Sequence, residues 1–111
     1  MQIRELSSNE DYTHLALIGR LDIIGVGEIE NKFIGYTASR KKSAVVDLSG
    51  VSFLGSMGLR VFLSAAKALA LDKKKLVLFA APPLVKDVLS SSGIDEVIPV
   101  EDTLEAALAK I

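Results

Sequence analysis

Two kinds of hydrophobic spacing alternate along the chain, and each predicts a different element. Residues 2–6 and 12–18 read as strands, with the turn chemistry of Asn9-Glu10-Asp11 between them. In the second strand Thr13, Leu15 and Leu17 fall on one face and Tyr12, His14, Ala16 and Ile18 on the other. Gly19-Arg20-Leu21-Asp22 then leaves the strand. Over residues 26–38 the spacing changes to three and four. Val26, Ile29, Phe33 and Tyr36 form one apolar stripe with Glu28, Glu30 and Lys32 off it, which predicts a helix.

Ala44 to Leu48, apolar except for Asp47, and Leu76 to Ala80 read as short strands. Runs this apolar suit strands covered on both faces, as in a parallel sheet. Between them residues 56–71 predict a helix that buries Leu59, Phe62, Ala66 and Leu69 and turns Arg60, Ser64 and Lys67 outward. Pro82-Pro83 opens a third helix, because proline is tolerated in the first turn. Leu84, Val85, Val88 and Leu89 form its apolar side, and Gly93 is placed to end it. Val97 to Val100 reads as a last short strand. Asp102-Thr103-Leu104-Glu105 reads as an N-cap with a glutamate three residues on. It starts a final helix with Leu104, Ala107, Leu108 and Ile111 along its apolar edge. The order β-β-α-β-α-β-α-β-α predicts one α/β domain over residues 1–111. Its mostly parallel central sheet carries an N-terminal hairpin and four helices.

Composition sharpens this picture. With 111 residues, half of them hydrophobic and 24% charged, the chain is long enough and apolar enough to fold as one domain. The absence of cysteine excludes disulfides, thiolate metal sites and thiol nucleophiles, and fits a cytoplasmic protein. A net charge of −1 argues against direct nucleic-acid binding. The cationic runs Arg40-Lys41-Lys42 and Lys73-Lys74-Lys75 stand where helices hand over to strands, a favourable place for positive charge. Met1 to Glu5 has no apolar run of a secretion signal behind it. No stretch approaches the ~20 apolar residues that span a bilayer, so no membrane insertion is expected.

The segment from Asp47 to Arg60 carries the chemistry. It runs from the end of a buried strand into a helix, and α/β folds place their sites in such loops. Ser56 falls at or just before the helix N-terminus, which leaves two readings. It is an ordinary N-cap, worth about 0.5–2 kcal/mol, or it is a phosphoacceptor. The unpaired amides and positive dipole end tolerate a phosphate, which brings roughly −1.5 to −2 charges to one spot. The fold should survive that charge, whereas a partner docked over the spot would not. Gly55 and Gly58 flank the serine and let another backbone approach, or serve turn geometry and close helix packing. Asp22 and Asp47 either converge near this segment or cap turns.

An enzyme is not expected. A serine nucleophile needs an activating base, and the single histidine, His14, lies mid-strand. The run Gly55-Ser56-Met57-Gly58 lacks the spacing of a nucleophile elbow. No phosphate-cradling motif and no metal-ligand cluster is present, so no cofactor is expected.

Asp47-Leu48-Ser49, Phe53-Leu54, Ser56, Met57 and Gly58-Leu59 together resemble the signature of STAS domains, and of bacterial anti-sigma factor antagonists in particular. Gly19-Arg20-Leu21-Asp22 resembles the G-x-L-D that follows the second strand in that family. The resemblance implies a partner-switching cycle. The unphosphorylated form binds an anti-sigma factor that is also a serine kinase. Phosphorylation of the serine matching Ser56 ends binding, and a serine phosphatase resets the switch. ATP belongs to the kinase. The implied partner surface comprises Asp22, Leu54, Gly55, Ser56, Met57, Gly58 and Arg60, within the loop 52–57, the exposed side of the helix from 56 and the loop near 19–25.

Two departures stand out. Gly55 occupies the place where the family usually has an aspartate, which removes a hydrogen-bond or charge contact to the partner, or else marks a divergent kinase or a domain that is never phosphorylated. Met57 replaces a small residue, and is an adaptable apolar contact if exposed or core if buried. The same resemblance also covers two other roles: a STAS subunit of a membrane transport ATPase complex, and a small-ligand or nucleotide-sensing module.

Overall fold

A computed structural model describes all residues, 1–111. Its elements run β1 (Gln2–Ser8), β2 (Tyr12–Leu21), α1 (Ile23–Tyr36), β3 (Ser43–Leu54), α2 (Ser56–Leu71), β4 (Leu76–Phe79), α3 (Pro83–Ser91), a 3-10 turn (Ile94–Glu96), β5 (Val100–Glu101) and α4 (Leu104–Leu108). The strands lie side by side in sequence order in one five-stranded sheet. β1 and β2 form an antiparallel hairpin, and β2, β3, β4 and β5 pair parallel.

The helices divide unequally between the two faces. Leu15 and Leu17 of β2, with Val46 and Leu48 of β3, meet Val26, Ile29 and Phe33 of α1, Val61, Phe62 and Leu69 of α2, and Val85 and Leu89 of α3. Phe33 and Phe62 pack edge to face, 5.9 Å between ring centres, which locks the two long helices together. On the opposite face a smaller cluster, Val45, Val77, Phe79 and Ala107, holds α4 against the sheet. The alternation expected in β2 is present: Thr13, Leu15 and Leu17 are buried, while Tyr12, His14, Ala16 and Ile18 are half-buried. His14 sits 5.7 Å from Phe79, ring to ring, and its Nε2 is buried without a hydrogen-bond partner.

Several boundaries differ from the sequence expectation for identifiable reasons. β3 extends to Leu54 rather than ending at Leu48. Two register shifts against β2 break the two-residue alternation, so burial falls on Leu48, Val51 and Leu54 at intervals of three, a spacing unlike a regular strand. The expected loop 52–57 is therefore mostly strand and helix, and Gly55 alone connects them. α1 begins at Ile23, not 26, because Asp22 caps it. In α2 the buried residues are Gly58, Val61, Phe62, Ala65 and Leu69, with Leu59 and Ala66 half-buried at the stripe's edge.

Leu84 is 77% exposed, not part of the buried side of α3. Gly93 does end that helix, with φ 79°, and turns the chain into the 3-10 turn. The Val97 and Ile98 amides both bond to the Ile94 carbonyl, which pulls residues 97–98 out of the expected strand and leaves β5 only two residues. α4 is capped by Thr103, whose hydroxyl accepts from the Ala106 amide at 3.1 Å, rather than by Asp102. Asp102 instead pairs with Lys86 at 3.0 Å.

Candidate functional site: the β3–α2 junction

The site lies where β2 and β3 end together, at the tip of that strand pair. β4 ends opposite Asp47, so from Ser49 onward β3 is paired only with β2. The two strands finish together at Leu21 and Leu54, and a helix starts immediately after each. Two hydrogen bonds set this geometry. The Gly55 amide donates to the Leu21 carbonyl at 3.1 Å, binding the end of β3 to the end of β2. The Gly25 amide donates to Asp22 Oδ1 at 2.8 Å and starts α1.

Ser56 is the first residue of α2 and is exposed. The N-cap is Gly55, in extended conformation, and no side chain caps the helix. The N-cap reading of Ser56 therefore does not hold, because the chain enters the helix one residue earlier. The hydroxyl is left on the surface beside the unpaired amides of the first turn. Gly58 is buried, and a side chain there would meet Leu54 Cδ1 at 2.6 Å and Leu21 Cβ at 3.1 Å. Its absence lets the first turn of α2 lie on the ends of both strands. Leu54 is 4% exposed and anchors the tip from inside. Met57 is half-buried against the core. Arg60, one turn beyond Ser56 on the same helix, is exposed.

Asp22 is at the tip and Asp47 is not. Asp47 lies opposite Ala16, seven residues before Leu54, or about 20 Å back along the strand. Its carboxylate accepts from the Ser49 amide at 2.8 Å. Asp22 accepts from Gly25, and its other oxygen takes the Arg20 Nε–H at 3.3 Å. The Gly25 amide foremost, then Arg20, hold its carboxyl below the usual aspartate range.

Register joins residues that the sequence places in two separate motifs. Arg20 pairs with Phe53 across the parallel strands, and its guanidinium stacks 4.5 Å above the Phe53 ring. Phe53 is 40% exposed, and Ile23 and Ile24 in the first turn of α1 are 75% and 74% exposed. Adjacent apolar residues directly after a capping aspartate were the available signal for the isoleucines. The Arg20–Phe53 contact depends on the two bulges and had none.

The comparisons with known proteins agree with this architecture. The STAS domain profile matches residues 4–107. An anti-sigma-B factor antagonist of Listeria monocytogenes is 30% identical over 94 residues, covering 74% of this chain and 79% of that protein. The structure of an anti-sigma-factor antagonist (STAS) domain protein from Planctomyces limnophilus superposes with a TM-score of 0.84 at 27% identity, covering 98% of this chain and 97% of that one. The phosphorylated form of the Bacillus cell fate determinant SpoIIAA superposes with a TM-score of 0.71 at 19% identity, covering 98% of each chain. No helix here is long and apolar enough to cross a membrane. With its profile match, its sheet order and its serine at the head of the second helix, the chain belongs to the STAS domain family.

Proposed function

We propose that the chain is an anti-sigma factor antagonist, a non-catalytic partner-switching module of the cytoplasm. Unphosphorylated, it binds an anti-sigma factor that is also a serine kinase. Phosphorylation of Ser56 ends that binding, and a serine phosphatase restores it. The observation that carries this reading is the exposed Ser56 hydroxyl at the first position of α2, with no capping duty to the fold. The names of the relatives, and the existence of SpoIIAA in a phosphorylated form, support it.

The surface around the serine suits a partner. Ile23 and Ile24, in the first turn of the neighbouring helix α1, are 75% and 74% exposed. Burying such a side chain is worth about 1.5–3 kcal/mol, a gain the isolated fold forgoes. Phe53, Arg60 and the Arg20–Asp22 pair complete the rim. Leu54, Gly55, Met57 and Gly58 shape the tip from beneath. A phosphate at Ser56 brings negative charge to the middle of this surface while the dipole of α2 tolerates it. The switch therefore acts on docking and not on folding.

The test is a pull-down from the native cell using wild type, Ser56→Ala and Ser56→Asp. Wild type and the alanine variant retain an anti-sigma factor with kinase activity, and the aspartate variant loses it. Equal retention by the aspartate variant overturns the reading.

A further inference from the structure

The acceptor segment carries Gly55 where the family resemblance leads one to expect a carboxylate, and two arginines stand on the elements around it, Arg20 paired with Asp22 and Arg60 unpaired. Phe53 Cε2 lies 3.2 Å from where a β-carbon on Gly55 would stand, so a side chain at position 55 would crowd the edge of the ring and shift it by a few tenths of an ångström. The other side of the same contact is the Arg20 guanidinium, 4.5 Å from the ring centre and 60% exposed as a side chain. Gly55, Phe53 and Arg20 thus form one unit: the glycine admits the ring, and the ring carries the arginine. Asp22, two residues from Arg20, is engaged by the Gly25 amide and by Arg20. Arg60, a turn beyond Ser56 on the exposed side of α2, has no ion-pair partner. No acidic residue occurs between Leu48 and Leu71.

We propose that Arg20 and Arg60, flanking Ser56 on an apolar ground of Phe53, Ile23 and Ile24, are the specificity-determining charges of this surface, and that the protein docking on it presents carboxylates opposite them. This rests on the proposed partner-switching reading and names the chemistry of its partner. It also gives the phosphate a second effect. Residues at i and i+4 are neighbours on a helix, so a phosphate on Ser56 lies within reach of Arg60. It neutralises the positive face and sets a negative one against the partner's carboxylates. Charges of this kind act mainly on association rate and partner choice, and salt weakens them.

The probe is the anti-sigma factor that co-purifies with the wild-type chain, titrated by calorimetry at about 50 mM and about 300 mM salt. Wild-type affinity falls at least tenfold between the two. Arg20→Glu and Arg60→Glu each weaken binding tenfold or more at low salt, and the double variant does so over a hundredfold. Arg60→Lys binds within threefold of wild type. Gly55→Asp weakens binding at least tenfold, by crowding the Phe53 ring and opposing the partner's charge. Thermal melts of each variant within a few degrees of wild type show that the fold is intact. A double charge-reversal variant that melts normally and binds like wild type overturns the inference while leaving partner switching in place. A wild-type chain that binds no anti-sigma factor overturns the partner-switching reading and this inference with it.

Discussion

The Gly55 amide donates to the Leu21 carbonyl at 3.1 Å, and that bond fixes where Ser56 stands. It joins the last residues of β2 and β3, so both strands deliver their following helices to one tip. The serine then begins α2 instead of capping it, and its side chain makes no capping hydrogen bond.

Substitution of Ser56 is therefore expected to leave the fold unaffected. Ser56→Ala should change unfolding free energy by no more than about 0.5 kcal/mol, as for other surface positions. Ser56→Asp should be neutral or stabilising by about 0.3–1 kcal/mol, since negative charge in a first helical turn is favourable. Urea unfolding of the two variants beside wild type checks both values.

Gly25 is the opposite case. A β-carbon there falls on the Arg20 carbonyl oxygen, a backbone atom that has nowhere to move. Gly25→Ala is expected to destabilise by about 2 kcal/mol or more, against a helix-propensity gain of under about 1 kcal/mol. Gly27→Ala, with nothing within 4 Å of the added carbon, should be stabilising or neutral. The pair of melting temperatures separates steric conflict from the general effect of losing a helical glycine.

The core makes a third expectation. Phe33 is fully buried and meets Phe62 edge to face at 5.9 Å. Phe33→Ala should destabilise by about 3–5 kcal/mol, a large part of the ~5–15 kcal/mol that keeps a domain of ordinary stability folded. Calorimetric unfolding checks it.

Acid should act through two named carboxylates. The Arg40 hydrogen bond holds Glu5 below the usual glutamate range, and the Gly25 amide, then Arg20, does the same for Asp22. A carboxyl whose folded-state pKa lies below its unfolded value contributes stability that is complete above the unfolded value. That contribution is lost as pH falls through the folded one. Stability is thus expected to be flat near neutrality and to decline below about pH 4. Glu5→Gln and Asp22→Asn should each flatten part of that decline. Asp22→Ala, which also removes the α1 cap, should lower the melting temperature at neutral pH more than Asp22→Asn does. Thermal melts between pH 3 and pH 7 distinguish the three.

Much of this was legible in the sequence because local signals and tertiary structure agree. The stripe of Val26, Ile29 and Phe33, the apolar runs of β3 and β4, and Gly93 all do in the fold what their spacing suggests. Ser56 stood out because glycines surround it at a strand-to-helix transition. What escaped was set by register. The second half of β3 looked like loop because its bulges replace a period of two by one of three. Phe53 and Arg20 are thirty-three positions apart, and only the strand pairing brings ring and guanidinium together. The last strand was misplaced because two amides share the Ile94 carbonyl, a local hydrogen-bond choice that hydrophobicity does not encode.

The most direct measurement is mass spectrometry of the chain recovered from its native cell, with the bound and free pools separated before digestion. The expected result is a single phosphate, on Ser56, confined to the free pool, while chain bound to the anti-sigma factor carries none. Phosphate on a different residue, or phosphoserine at position 56 in the bound pool, would contradict the account.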